Sequence, residues 1–219
     1  MNLESKPANE PKILLQTDDW MIVEKPSGYH SVRGKSVDAP TIEDWLLEKF
    51  PILKNLAEAG LVHRLDQKTS GCLFVAKSQN IFEDFQRRFR IGKGIQKIYL
   101  ALVSGGNFSD ARFEFYFSSR YKGSKKVTVS LDGPARERGH CEWKTITTKN
   151  DFSLLEVQLH GPGKRHEIRA GLAHLQHPIV GDELYGGISS AIFGLHAWKL
   201  SFDGVSVESP RPAGWKALL

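Results

Sequence analysis

The segment LVHRLDQKTSG, residues 61–71, sets Arg64 and Asp66 two positions apart in a polar stretch, and the aliphatic run CLFVAK follows at once. A carboxylate placed this way is either half of a surface ion pair with Arg64, worth under about 1 kcal/mol, or a group held for chemistry. Three further stretches invite the same question: VEKPSG (23–28), KIYLALVSG (97–105) and GKRHEIRAGLAHLQHPIVGDELYGG (163–187). Each has a plain structural reading. Lys25–Gly28 makes a turn, Tyr99 packs within a strand, and Arg169 lies on the solvated side of a helix.

Familiar motifs do not absorb these residues. TSG at 69–71 is not a hydrolase elbow, because Lys68 stands where GxSxG needs glycine. GPGKR fails the phosphate-loop spacing and puts Arg165 in the Ser/Thr place. In HEIRAGLAH, Ala170 sits where HExxH needs its second histidine. His166, His174, His177 and Asp182 define a competing reading as a metal-dependent hydrolase, although no third ligand follows His174 and His177 at a telling spacing. The five tryptophans are most simply anchors in the core or at the surface.

The elements that must position these groups follow from periodicity and turn chemistry. KILLQTDDWMIVEKPSG reads as two strands around a turn at Thr17–Asp19, stopped at Pro26–Gly28. TIEDWLLEKF reads as a helix capped by Thr41, and CLFVAK as a buried strand. Ser78 caps a second helix whose Ile81, Phe82, Phe85 and Phe89 form one face. A strand follows in KIYLALVSG, then four strand-like segments between 111 and 160. GPGK opens a third helix from about Arg165 to Gln176, striped by Ile168, Leu172 and Leu175. A last strand, about Leu195 to Phe202, precedes a proline-rich tail. Strands with interspersed helices indicate α+β with a mixed or mainly antiparallel sheet. Residues 1–11 read as disordered, and no linker separates domains.

Composition narrows the class of function. The chain has 219 residues, 40% hydrophobic and 25% charged, which suits a globular protein with a buried core. No signal peptide or membrane-spanning run is evident, and Cys72 and Cys141 form no CxxC pair, so the expectation is a cytoplasmic protein. The net charge of +5 is modest. Its clustering says more, with five cations and no acid from Arg87 to Lys97, and four and no acid from Arg120 to Lys126. Such runs are either solvated basic loops or the footprint of a polyanion binder.

Taken as an ordered set, the four stretches resemble the RluA-type pseudouridine synthases. HRLD followed by TSG and an aliphatic strand is the most specific part of the resemblance, and HPIVGD after an IR helix is nearly as telling. The similarity runs from about Ile13 to Phe202. It implies the pseudouridine synthase fold: one catalytic domain, residues 12–219, with a large mixed, mainly antiparallel sheet, flanking helices and a central RNA-binding cleft. About ten residues precede the first strand, so the N-terminal RNA-binding domain of many relatives is expected to be absent.

The resemblance also assigns roles. Asp66 matches the nucleophile that attacks the target uridine, a task suited to a carboxylate that can form an adduct and later leave. Arg169 matches the arginine that pairs with it, and a planar, permanently charged guanidinium can orient a carboxylate and keep it ionised. Tyr99 matches the tyrosine that stacks on the flipped base and can share in proton transfer. Ile168 matches an aliphatic position against the base, and Arg64 a residue that enters the space left by the extruded nucleotide. Lys97, Arg165 and the basic stretches 87–97 and 120–126 are expected to meet RNA, the stretches as phosphate contacts.

The reaction is an isomerisation, so no metal or organic cofactor is implied. The partner is ribosomal or transfer RNA, and a monomer without an obligate protein partner is the default. A catalytically silent RNA-binding protein on the same fold is the alternative, and Asp66→Ala separates the two. The pattern departs from the family's at the third helix, where Lys164, Arg165, Glu167 and Gly171 replace Arg, a small hydroxyl residue, Gln and His.

Overall fold

The computed structural model describes residues 9–34, 39–105, 109–119, 121 and 123–219. Residues 1–8, most of the stretch read as disordered, lie outside the described residues, as do Arg120 and Lys122 of the second basic run. In chain order the elements are β1 (Lys12–Gln16), β2 (Trp20–Lys25), α1 (Ile42–Lys49), β3 (Ser70–Ala76), α2 (Gln79–Ile91), β4 (Gln96–Ser104) and β5 (Ala111–Ser118). There follow β6 (Thr128–Ser130), β7 (Arg138–Lys149), β8 (Phe152–Leu159), α3 (Glu167–His174), β9 (Leu195–Phe202) and β10 (Val205–Glu208). The content is α+β, as expected. Among the described residues no helix is long and apolar enough to cross a membrane.

The chain divides into two compact units. One runs to Ile95 and takes in Ala197–Pro210; the other comprises Gln96–His196 and Arg211–Leu219. In the first, β1, β2 and β3 pair antiparallel, with Trp20 opposite Ala76 and Lys25 opposite Gly71. Thr17 closes the first hairpin by accepting the Trp20 N–H at 3.1 Å and donating to the Trp20 carbonyl at 3.0 Å. Every residue of β3 is buried, which explains its unbroken apolar run. Gly71 is obligatory there: its φ is 116°, and a Cβ would lie 2.2 Å from the Ala197 carbonyl oxygen.

Thr41 caps α1 through the Asp44 N–H at 2.9 Å. Ser78 holds the N-cap position of α2, but its side chain makes no capping bond. The apolar face of α2 packs as its spacing predicts. Phe82, Phe85 and Phe89 are buried, and Phe85 stacks on Phe74 of β3 at 4.0 Å.

In the second unit the order is β4–β8–β7–β5–β6, all antiparallel neighbours. Phe113, Phe115 and Phe117 of β5 alternate into a core that also holds Trp143, Val157, Ile168 and Leu172. The third helix is shorter than its sequence suggests. It starts at Glu167, because His166 sits in the left-handed region with φ 57°. Gly171 has no room for a side chain, since a Cβ would lie 2.3 Å from Cζ of Phe113.

Candidate active site

Asp66 is half-buried on the segment between residues 61 and 69, which has no regular secondary structure beyond one bridge. What holds that segment is a set of specific bonds within the first unit. Leu61 bridges to Val75, and the His63 ring accepts the Phe74 N–H at Nε2 (3.0 Å) while stacking on Phe89 at 4.1 Å. That acceptor role places the histidine proton on Nδ1. Ser31 Oγ accepts the Leu65 N–H at 2.9 Å and donates to the Leu65 carbonyl at 3.0 Å. Asp66 closes its own turn, its carbonyl accepting the Thr69 N–H at 3.1 Å.

The turn at VEKPSG is stitched to the same segment. Gly28 N–H donates to the Gln67 carbonyl at 2.9 Å, and Ser27 Oγ to that of Lys68 at 2.7 Å. Beneath them lies Lys25, fully buried. Its ammonium donates to the carbonyls of Pro26 (3.0 Å), Tyr29 (2.6 Å) and Gln67 (2.8 Å), which uses all three protons. Burial pushes the Lys25 pKa down to about 7, and the nearby Asp66 carboxylate works against that shift by favouring the charged form. The sequence reading saw a turn here. Nothing local betrays the buried cation, because one of its three acceptors is 42 residues away. Arg64 is exposed and pairs with Glu58, its Nε 3.2 Å from Oε2.

The other predicted residues belong to the second unit. Arg169, on α3, is buried and grips Asp182 with two parallel bonds, Nε to Oδ2 at 2.7 Å and Nη2 to Oδ1 at 2.9 Å. Its guanidinium also lies 5.3 Å from the ring centres of both Tyr185 and Phe193. Asp182 thus fixes the Arg169 side chain, whereas the sequence reading entertained it only as a metal ligand. The HPIVGD stretch carried the signal, since a buried arginine requires a carboxylate nearby. Of the other residues weighed as ligands, His166 Nδ1 lies 2.9 Å from the Tyr185 hydroxyl and His174 packs edge-on against Phe115. Among the described residues no group of three or more His, Cys, Asp or Glu could hold a metal ion.

Tyr99 is half-buried on β4, opposite Val157 and packed against the core. Ile168 is buried in that core. Lys97, expected to meet RNA, is 7% exposed and donates to the Gly161 carbonyl at 2.6 Å. Burial lowers its pKa to about 8, with Glu167 opposing the shift. Glu167 itself is 2% exposed, and burial raises its carboxyl to about 7, opposed by the Lys164 N–H that it accepts at 2.5 Å and by Lys97. Arg165 is exposed, and three of its five N–H donors meet protein acceptors: the carbonyls of Ser124 (2.8 Å) and Lys126 (3.2 Å) and Oγ of Ser119 (3.0 Å).

Comparison with known proteins bears on the family and the fold. A family model for RNA pseudouridylate synthase matches residues 19–177. A protein of Borreliella burgdorferi named ribosomal large subunit pseudouridine synthase D is 31% identical over 210 residues, covering 90% of this chain and 63% of that relative. The protein of the same name from Nitrosomonas europaea is 30% identical over 226 residues, covering 95% of this chain and 64% of the relative. The chain thus spans less than two thirds of either relative's length. Among solved structures, human RNA pseudouridylate synthase domain containing 4 superposes with a TM-score of 0.73 over 93% of this chain and 90% of that one, at 20% identity. At that identity the likeness speaks for the fold.

Proposed function

We propose that this chain, which belongs to the RNA pseudouridylate synthase family, isomerises uridine to pseudouridine in RNA, with Asp66 as the nucleophile. The observation that carries the reading is the setting of Asp66. An otherwise irregular segment is pinned on both sides of this carboxylate, and the buried Lys25 ammonium contributes positive charge beside it. A nucleophile that must meet an extruded nucleotide needs that fixed placement.

In this mechanism Asp66 attacks the flipped uridine, the N-glycosidic bond breaks, and the base turns and rejoins the sugar through carbon. The carboxylate then leaves, so no atom is gained or lost and no redox cofactor is required. Arg169, held by Asp182, is the guanidinium that the family resemblance assigns to the nucleophile. Tyr99 stacks on the uracil and shares in the proton transfer, with Ile168 as the apolar backing. Arg64 enters the space that the base vacates, and its pairing with Glu58 is exchanged for RNA. Residues 12–219 act as one catalytic domain, as a monomer in the cytoplasm. The names of the relatives favour ribosomal RNA of the large subunit over transfer RNA as the substrate.

The test is deletion of the gene in its host, with pseudouridines mapped in ribosomal and transfer RNA by carbodiimide-dependent primer-extension stops. Rescue uses the wild type and Asp66→Ala in parallel. One or a few sites should vanish and return with the wild type alone. Unchanged sites, or rescue by Asp66→Ala, would remove the enzyme reading and leave an RNA-binding protein.

A further inference from the structure

We infer that Arg165 is a positioning residue that docks the basic segment 123–127 for RNA, and does not itself contact phosphate; the inference rests on the RNA-directed reading above. Where the family pattern has a small hydroxyl residue, this chain has a guanidinium that reaches three acceptors on the polypeptide leading into β6. The planar fork suits such a grip, because several N–H donors are presented in fixed directions.

A second latch lies alongside. The Tyr185 hydroxyl accepts the Val127 N–H at 2.8 Å and lies 2.9 Å from His166 Nδ1, and the Tyr185 ring faces the Arg169 guanidinium at 5.3 Å. Ser124 and Val127 are buried by these contacts, whereas Lys125 and Lys126 between them stay exposed. The result is a short segment fastened at both ends, with two cations facing outward, in fixed register with Arg169. Without the fastening, each RNA encounter would have to order that segment, at an entropic cost per residue.

The two roles open to Arg165 predict different numbers. If it touched one phosphate, Arg165→Gln would lower the salt slope of RNA binding by about 1, and removal of Lys125 and Lys126 would add to that loss. As a clamp, Arg165→Gln should lower the slope by about 2, because both lysines lose their register. Adding Lys125→Ala and Lys126→Ala in that background should then change little. Arg165→Lys discriminates further: a phosphate contact tolerates lysine, whereas a single ammonium cannot span three acceptors.

Binding would be followed with a fluorescein-labelled transcript of large-subunit ribosomal RNA across a salt series, with thermal melts showing that each variant is folded. Amide hydrogen exchange on RNA-free protein adds an independent arm, in which the Val127 amide should exchange faster in Arg165→Gln and Arg165→Lys. Additive lysine effects, a wild-type-like Arg165→Lys, or unchanged Val127 exchange would each overturn the clamp. Neither arm requires turnover, so a protein that binds RNA but isomerises nothing would defeat the isomerase reading and leave this one standing.

Discussion

Lys25 in the first unit and Arg169 in the second are buried cations held in different ways. In the first, Lys25 is caged by three main-chain carbonyls; in the second, Arg169 is gripped by a carboxylate, that of Asp182, through two parallel bonds. A carbonyl cage cannot be dismantled by substituting its acceptors, so its weak point is the lysine alone. An ion pair can be broken from either end, and each end then leaves a buried charge behind. The second unit also buries a carboxyl, Glu167, that burial drives towards its neutral form. Glu167 and Lys25 should therefore respond to pH in opposite directions.

The largest effect is expected from Asp182→Ala, which takes two parallel charge-assisted bonds from a buried guanidinium and should cost about 3–5 kcal/mol in urea denaturation. A loss below about 1 kcal/mol would mean that the charge of Arg169 is met elsewhere, and the contrast with the lysine cage would fall. Lys25→Met should cost about 3 kcal/mol at pH 7, since three buried carbonyls lose their donor at about 1–3 kcal/mol each while a buried charge is removed.

The pH dependence sharpens the contrast. Glu167 keeps its proton in the folded chain up to about 7, against an ordinary 4.5 when unfolded. Between those values the unfolded chain releases the proton first, so stability falls as pH rises through that window, by about 3 kcal/mol at most. Lys25 titrates at about 7 in the folded chain against an ordinary 10.5, so stability recovers as pH rises between those values. A denaturation series should show a minimum just above neutrality. Glu167→Gln should flatten the acid limb and raise stability at pH 8 by about 2 kcal/mol; an unchanged limb would show that burial does not control this carboxyl. The smallest effect belongs to Arg64→Ala, under about 1 kcal/mol, because its partner Glu58 is met at the surface.

Much of this was legible in the sequence where short-range rules decide. The bounds of β9 match the predicted strand, and Thr41 caps α1 as its position suggests. The start of α3 was set too early, because the Glu167 carboxylate takes the Lys164 N–H and His166 turns left-handed, neither of which apolar spacing reveals. β10 was missed, although Asp203–Gly204 before VSVE is a hairpin signal. The proline-rich tail hides Trp215, which is fully buried.

At the candidate site, the family resemblance pointed to Asp66, Tyr99 and Arg169. Their supports, Lys25 and Asp182, depend on contacts distant in sequence or on a partner's burial. Arg165 and Lys97 carry charge, and charge together with the family resemblance suggested RNA. The structure assigns their hydrogen bonds to carbonyls of the chain itself.

Phe113 and Gly171 share one volume, and that turns two positions 58 apart in the chain into a single evolutionary character. A histidine at 171, as the family pattern has it, would require a smaller residue at 113, and a phenylalanine at 113 forbids any side chain at 171. Aligned relatives should therefore exchange bulk between these two columns. Transplanting either residue alone should be harmful where the paired exchange is tolerated.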